Sequence, residues 1–166
     1  GNISGLAIRM QSQFVVRNMY TIPFDVARIE DPEAKYYAAM RSAIADPRVG
    51  MVTTANPSTL LRVAQFANTH CESLIRDVAD GTISSDFQIA SDIRSSLAQN
   101  LKPQRKRAAA LERIAEHTGH LYPRDYWNAM SFLAVWTGGS CAAYLDAVRE
   151  CYGDVAVRDH GLHASE

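Results

Sequence analysis

The last seven residues, His160 to Glu166, read HGLHASE and follow a strand-like run, VAVRD. They crowd two histidines, a hydroxyl and a carboxylate into one short stretch. The Ser165 hydroxyl can bond a phosphate oxygen. Glu166 offers the hard oxygen donor that Mg²⁺ selects, and that ion commonly takes only one or two carboxylates. A Ser-Glu pair by itself equally suits a solvated loop. His160 and His163 are three apart, as are His117 and His120. Zinc needs further ligands in tetrahedral geometry, so ordinary surface or pocket histidines are the simpler expectation. A second chemical feature is TGGS, Thr137 to Ser140. Its glycines let a ligand approach the backbone, and a helix start offers N–H groups to an anion or a ring nitrogen. Plain turn geometry is the alternative for such a pair. The sequence contains neither a GxxxxGK[ST] phosphate loop nor a GxSxG nucleophile elbow.

These groups need elements to position them. Residues 1–30 read as irregular, with some extended character. Asp31-Pro32-Glu33 then supplies a cap, a first-turn proline and a first-turn acid, and Tyr36, Tyr37, Met40, Ala43 and Ile44 define the buried face of a helix ending at Asp46-Pro47. The run VGMVTTA, 49–55, is β-branched and predicts a buried strand. Asn56-Pro57 restarts a helix, and Leu60, Ala64, Ala67, Cys71, Leu74 and Val78 continue one helical stripe to Asp80-Gly81. Two more helices are predicted near 86–99 and 103–118. Met130 to Trp136 reads as a second strand, 140–152 as a helix with Tyr144, Leu145, Val148 and Tyr152 inward, and the run from Val155 as a third strand. Helices alternating with apolar strands predict an α/β fold with a parallel sheet. In such sheets ligands gather at the loops leaving the carboxyl ends of strands. Here those loops are TANPS, TGGS and HGLHASE.

Composition sets the bounds. A hydrophobic share of 47% and a charged share of 21% describe a globular chain rather than a disordered one. Its 166 residues suffice for one domain with a sizeable core, and we expect 1–166 to form a single unit. The net charge of −1 supplies no field toward nucleic acid or acidic membranes. Lys102, Arg105, Lys106, Arg107 and Arg113 form a basic patch, but Glu112 and Glu116 lie nearby, so a solvated helix face is expected. Cys71, Cys141 and Cys151 are widely spaced and odd in number, which favours free thiols in a reducing compartment such as the cytoplasm. No apolar run is long enough for a membrane span, and the first residues lack a signal-peptide layout.

Several stretches in order carry a resemblance: DPEAKYYAAMRSAIADPRVGMVTTANPSTLL, LIRDVADGTIS, LERIAEHTGHLYPRDYW, WTGGSCAAYL and VRDHGLHASE. Together they resemble a bacterial member of the Gretchen Hagen (auxin-responsive promoter) family of acyl-acid amido synthetases, within the firefly-luciferase-like, adenylate-forming superfamily. The likeness runs along nearly the whole chain. It implies a fragment of the large N-terminal domain of an enzyme that activates a carboxylic acid with ATP and Mg²⁺, giving an acyl-adenylate and pyrophosphate. Many members then pass the acyl group to an amino acid's amine; thioester formation and adenylation alone remain open. By the same resemblance, Glu166 is the Mg²⁺ ligand and Ser165 the hydroxyl near the α-phosphate. Gly138, Gly139 and Ser140 form a turn along the adenine. Leu162, His163 and Ala164 complete the nucleotide segment, and Thr54, Ala55 and Trp136 belong to the acyl pocket.

Two positions depart from the family pattern. Leu162 stands where an adenine-stacking aromatic is common, and His163 replaces a smaller residue. The family's Ser/Thr/Gly-rich phosphate loop would precede residue 1, and its ribose-binding aspartate and mobile C-terminal domain would follow residue 166. The chain is therefore expected to be a middle section that does not turn over substrate alone. The alternative is a non-catalytic binding or scaffold domain that keeps the fold. Adenylation relies on stabilising charge at an in-line phosphorus centre, which metal ions and oriented donors supply, so a missing catalytic triad is no objection.

Overall fold

A computed structural model describes residues 19–159 and 161. A 3₁₀ turn, Phe24–Arg28, leads into α1, Pro32–Ala45. The cap read from the sequence is in place: the Asp31 carboxylate accepts from the Ala34 N–H at 2.7 Å, with Pro32 in the first turn. The strand β1, Met51–Thr53, follows, then α2, Pro57–Thr69, capped by Asn56, whose side chain accepts from the Ser58 N–H at 2.9 Å.

The single helix expected over 57–80 is two. A break at His70 separates α2 from α3, Cys71–Asp80. The apolar stripe survives it, with Leu60, Ala64, Ala67, Leu74 and Val78 all buried and Cys71 half-buried. The bend seats the His70 ring 4.3 Å from Phe66 and edge-on to Tyr37 and Phe87. No glycine or proline marks the break, which is why the spacing read through it.

Next come α4, Ser91–Ala98, and α5, Arg105–Thr118, each shorter at its start than predicted. Residues 82–90 are held instead by side chains. The Arg94 guanidinium donates to the carbonyls of Ile83, Ser84 and Phe87. After the short α6, Pro123–Tyr126, come β2, Phe132–Val135, a 3₁₀ segment Gly139–Tyr144, α7, Leu145–Tyr152, and β3, Ala156–Asp159. The 3₁₀ segment corrects the helix expected over 140–152. At three residues per turn it shifts the phase of the 3.6-residue period, so Tyr144, expected inward, is 42% exposed, while Val148 and Tyr152 are buried.

The strands form one parallel sheet in the order β1-β2-β3, with Val52 beside Leu133 and Leu133 beside Val157. This α/β architecture is the one the sequence predicts. Backbone bonds extend the first pair beyond the formal strands, from Ser131 N to Gly50 O at 2.8 Å up to Trp136 N to Ala55 O at 3.0 Å. The β1 run is not the buried strand expected. Among the described residues it lies at the sheet edge, and Met51 is 50% exposed with Thr53 also exposed. Burial falls on the central strand, at Leu133 and Val135.

The main core joins these two residues to Tyr37, Ile44, Leu60, Leu74, Leu111 and Tyr152. Burying each such side chain is worth roughly 1.5–3 kcal/mol. A smaller cluster of Val26, Ile29, Ala34, Ala38, Ile93 and Leu97 fixes the 3₁₀ turn and α4 on the outer side of α1.

Candidate functional site at the carboxyl ends of the strands

Three parallel strands deliver three loops to one rim. On β1, Thr54 continues the ladder, its N–H reaching Ala134 O at 3.0 Å, and its hydroxyl donates to the Asn56 carbonyl at 3.0 Å. The Ala55 carbonyl accepts from Trp136 N. Thr54, Ala55 and Trp136, separated by some eighty residues of chain, are thus adjacent in space, as a shared pocket wall requires.

From β2 the chain passes through Trp136 and Thr137 into the glycine turn. Gly138 is extended, and Gly139 has φ of +57°, a left-handed conformation that glycine adopts without penalty. A side chain built on Gly138 or Gly139 would meet nothing within 4 Å. Both glycines border open space, and neither is required by close packing from beneath. Ser140 is exposed beside them, at the start of the 3₁₀ segment.

The exit from β3 is tied to this turn by Asp159. One carboxylate oxygen accepts from the Thr137 N–H at 3.2 Å and also from the Thr137 hydroxyl. The other accepts from the Gly161 N–H at 2.8 Å. The Trp136 indole N–H donates to the Gly161 carbonyl at 2.6 Å, closing a ring of contacts between the ends of β2 and β3. Sequence reasoning named TGGS and HGLHASE as neighbouring loops but missed the residue that joins them. A signal existed: an aspartate two residues before a glycine at a strand end suits a side-chain-to-backbone bond of the Asx kind, and the Gly161 N–H donates to Asp159. Leu162, His163, Ala164, Ser165 and Glu166 lie outside the described residues, as does His160.

Other chemical features fall away from the rim. Burial pushes the thiols of Cys71 and Cys151 up, which makes them poor nucleophiles. His120 stacks on Tyr122 at 4.4 Å, with Asp125 3.4 Å and Arg124 3.2 Å away, and His117 stays exposed. Among the described residues no group of His, Cys, Asp or Glu is placed to hold a metal ion. The basic patch is not wholly a solvated face: Arg107 is half-buried and donates to the carbonyls of Ile44 and Tyr126, which pins α5 to α1 and α6. No helix among the described residues is long and apolar enough to cross a membrane.

Residues 1–157 match the model of the GH3 family N-terminal domain. The chain belongs to the GH3 family. This bears out the resemblance read from the five stretches of sequence. Among solved structures, a GH3.15 acyl acid amido synthetase superposes with a TM-score of 0.77 at 15% identity, over 96% of this chain and 28% of its own. AtGH3.15 acyl acid amido synthetase in complex with 2,4-DB gives 0.65 at 15% identity, over 78% of this chain and 23% of its own. The GH3 chain therefore spans about a quarter of each of these relatives, and at such identity the likeness is one of fold. No curated protein matches it.

Proposed function

We propose that this GH3 chain is the middle part of the adenylation domain of an ATP-dependent ligase that joins a carboxylic acid to an amino acid through an acyl-adenylate. The carrying observation is the rim itself. Thr54, Ala55, Trp136, the TGGS turn and the exit of β3 meet at the carboxyl ends of three parallel strands, where α/β folds bind ligands. The family membership and the fold of the acyl acid amido synthetases support the same reading.

The residues present fit a nucleotide. Gly138 and Gly139 border open space that a flat ring can occupy, and Ser140 adds a hydroxyl at the same turn. We assign Gly138, Gly139, Ser140, Leu162, His163, Ala164 and Ser165 to nucleotide binding, and Thr54, Ala55 and Trp136 to the acyl pocket. Ser165 and Glu166 carry the chemistry, the first toward the α-phosphate and the second as the Mg²⁺ ligand. Mg²⁺ held by Glu166 would supply neutralisation of the phosphate charge. The protein's part is to orient the two substrates and to keep donors fixed where charge develops. Free thiols at Cys71, Cys141 and Cys151 suit a cytoplasmic setting.

The test is ATP–pyrophosphate exchange by the full-length protein across a panel of carboxylic acids, 2,4-DB among them. Glu166→Ala is expected to lower exchange by roughly 100-fold or more, the scale of losing one transition-state contact. Unchanged rates would remove Glu166 from the mechanism. Nucleotide binding without exchange for any acid would favour the scaffold reading instead.

A further inference from the structure

We infer that Asp159 is a positioning residue: it latches the chain leaving β3 onto the TGGS turn and so sets the segment that carries Ser165 and Glu166. The inference rests on the reaction proposed above. Its ground is a juxtaposition that neither strand pairing nor core packing requires. Asp159 is the last residue of β3, and it is exposed. Yet its carboxylate gathers the Thr137 N–H, the Thr137 hydroxyl and the Gly161 N–H, drawing on a loop 22 residues earlier in the chain and on its own continuation.

The Trp136 indole completes the latch from the other side, through the Gly161 carbonyl. Gly161 has φ of +73° and nothing within 4 Å of a would-be side chain. Among the described residues, Gly161 is therefore held by its backbone conformation and by these hydrogen bonds, with no steric wall behind it. Ser165 and Glu166 follow Gly161 by four and five residues. They are the groups whose placement the latch would serve, and a misplacement of about 1 Å at reacting groups can cost on the order of 100-fold in rate.

The latch can be broken from either end in the full-length protein. Asp159→Ala is expected to lower the maximal rate of ATP–pyrophosphate exchange by about 30-fold and to raise KM for ATP as well, because the TGGS turn and the segment after Gly161 are both assigned to the nucleotide. Thr137→Val should give a smaller loss, and Thr137→Ser, which restores the hydroxyl, should recover at least half the wild-type rate. Asp159→Ala combined with Thr137→Val should be no slower than Asp159→Ala alone, as expected for two partners in one contact.

Hydrogen–deuterium exchange supplies a readout independent of turnover: Asp159→Ala should accelerate exchange in peptides covering Thr137 and Gly161. Exchange kinetics for Asp159→Ala within threefold of wild type, additive losses in the double variant, or unchanged amide protection would each overturn the latch. If Asp159→Ala does not fold, the Thr137→Val and Thr137→Ser pair decides. Equal rates for these two would overturn the inference, and loss with recovery would uphold it. A wild-type protein silent with every acid would sink the proposed reaction and the positioning role with it. That failure appears in the wild-type measurement, so it is distinct from failure of the latch alone.

Discussion

Asp77 and Asp159 use the same device in opposite surroundings. Asp77, in α3, accepts from the Tyr37 hydroxyl at 2.5 Å, the Thr82 hydroxyl at 2.7 Å and the Ser84 N–H at 2.7 Å. Asp159 likewise gathers one side-chain hydroxyl and backbone N–H groups, from Thr137 and Gly161. Each ties a loop to the element before it. But Asp77 is 3% exposed and Asp159 lies at the surface. Burial changes what the hydrogen bonds are worth. Inside, a donor left without its acceptor pays the full cost of desolvation; outside, water replaces the lost partner. The first carboxylate therefore serves the fold, and the second can be spent on arrangement at a site.

The largest expected effect follows from removing the inner one. Asp77→Ala strips partners from the Tyr37 hydroxyl and the Ser84 N–H, both buried. It also removes the negative charge that supports the buried Arg41 guanidinium, one of whose nitrogens, Nη2, has no hydrogen-bond partner among the described residues. Losing one member of such a buried network costs roughly 3–5 kcal/mol. Urea unfolding should show a drop of that order. A loss under about 1 kcal/mol, within the range of a single net hydrogen bond, would mean that the burial contrast with Asp159 does not control these interactions.

The same contrast predicts a response to alkali. Burial, followed by the hydrogen bond to Asp77, raises the Tyr37 phenol above its ordinary range. Burial also raises Tyr126 and Tyr152, with Tyr152 adding to the first and Cys151 to the second. Unfolded tyrosines ionise near pH 10, at about their reference value. A group whose folded pKa lies above its unfolded one contributes stability fully below the unfolded value, and that contribution is lost as pH rises toward the folded one. Unfolding free energy should therefore fall steadily above about pH 10. Tyr37→Phe should flatten part of that fall. A profile unchanged from pH 9 to 11 would contradict the burial of these phenols.

What the sequence made legible divides along the same line. The helix caps at Asp31 and Asn56, the apolar stripe through Leu60 and Val78 and the central strand around Leu133 all follow local rules of period and hydrogen bonding, and they stand where those rules put them. The break at His70 and the 3₁₀ segment that turns Tyr144 outward depend on tertiary partners, which spacing does not record. At the rim, glycine chemistry and strand order located the TGGS turn beside the β3 exit. Asp159 was read only as the end of a strand, because its partners Thr137 and Gly161 meet through strand register rather than sequence proximity.

The smallest expected effect is the sharpest check on the comparison. If Asp159 serves arrangement rather than the fold, Asp159→Ala should lower the stability of the chain by less than about 1 kcal/mol, because its hydrogen bonds to half-buried Thr137 and exposed Gly161 lie at the surface, where the donors regain water as partner. The same urea titration used for Asp77→Ala measures it. Finding the two variants equally unstable would mean that the latch between β2 and β3 is part of what folds the sheet, and its effect on exchange would then have to be attributed to the sheet. A small stability loss beside a large kinetic one separates the two carboxylates, because only a residue whose bonds can be exchanged for water can be removed without disturbing the core beneath it.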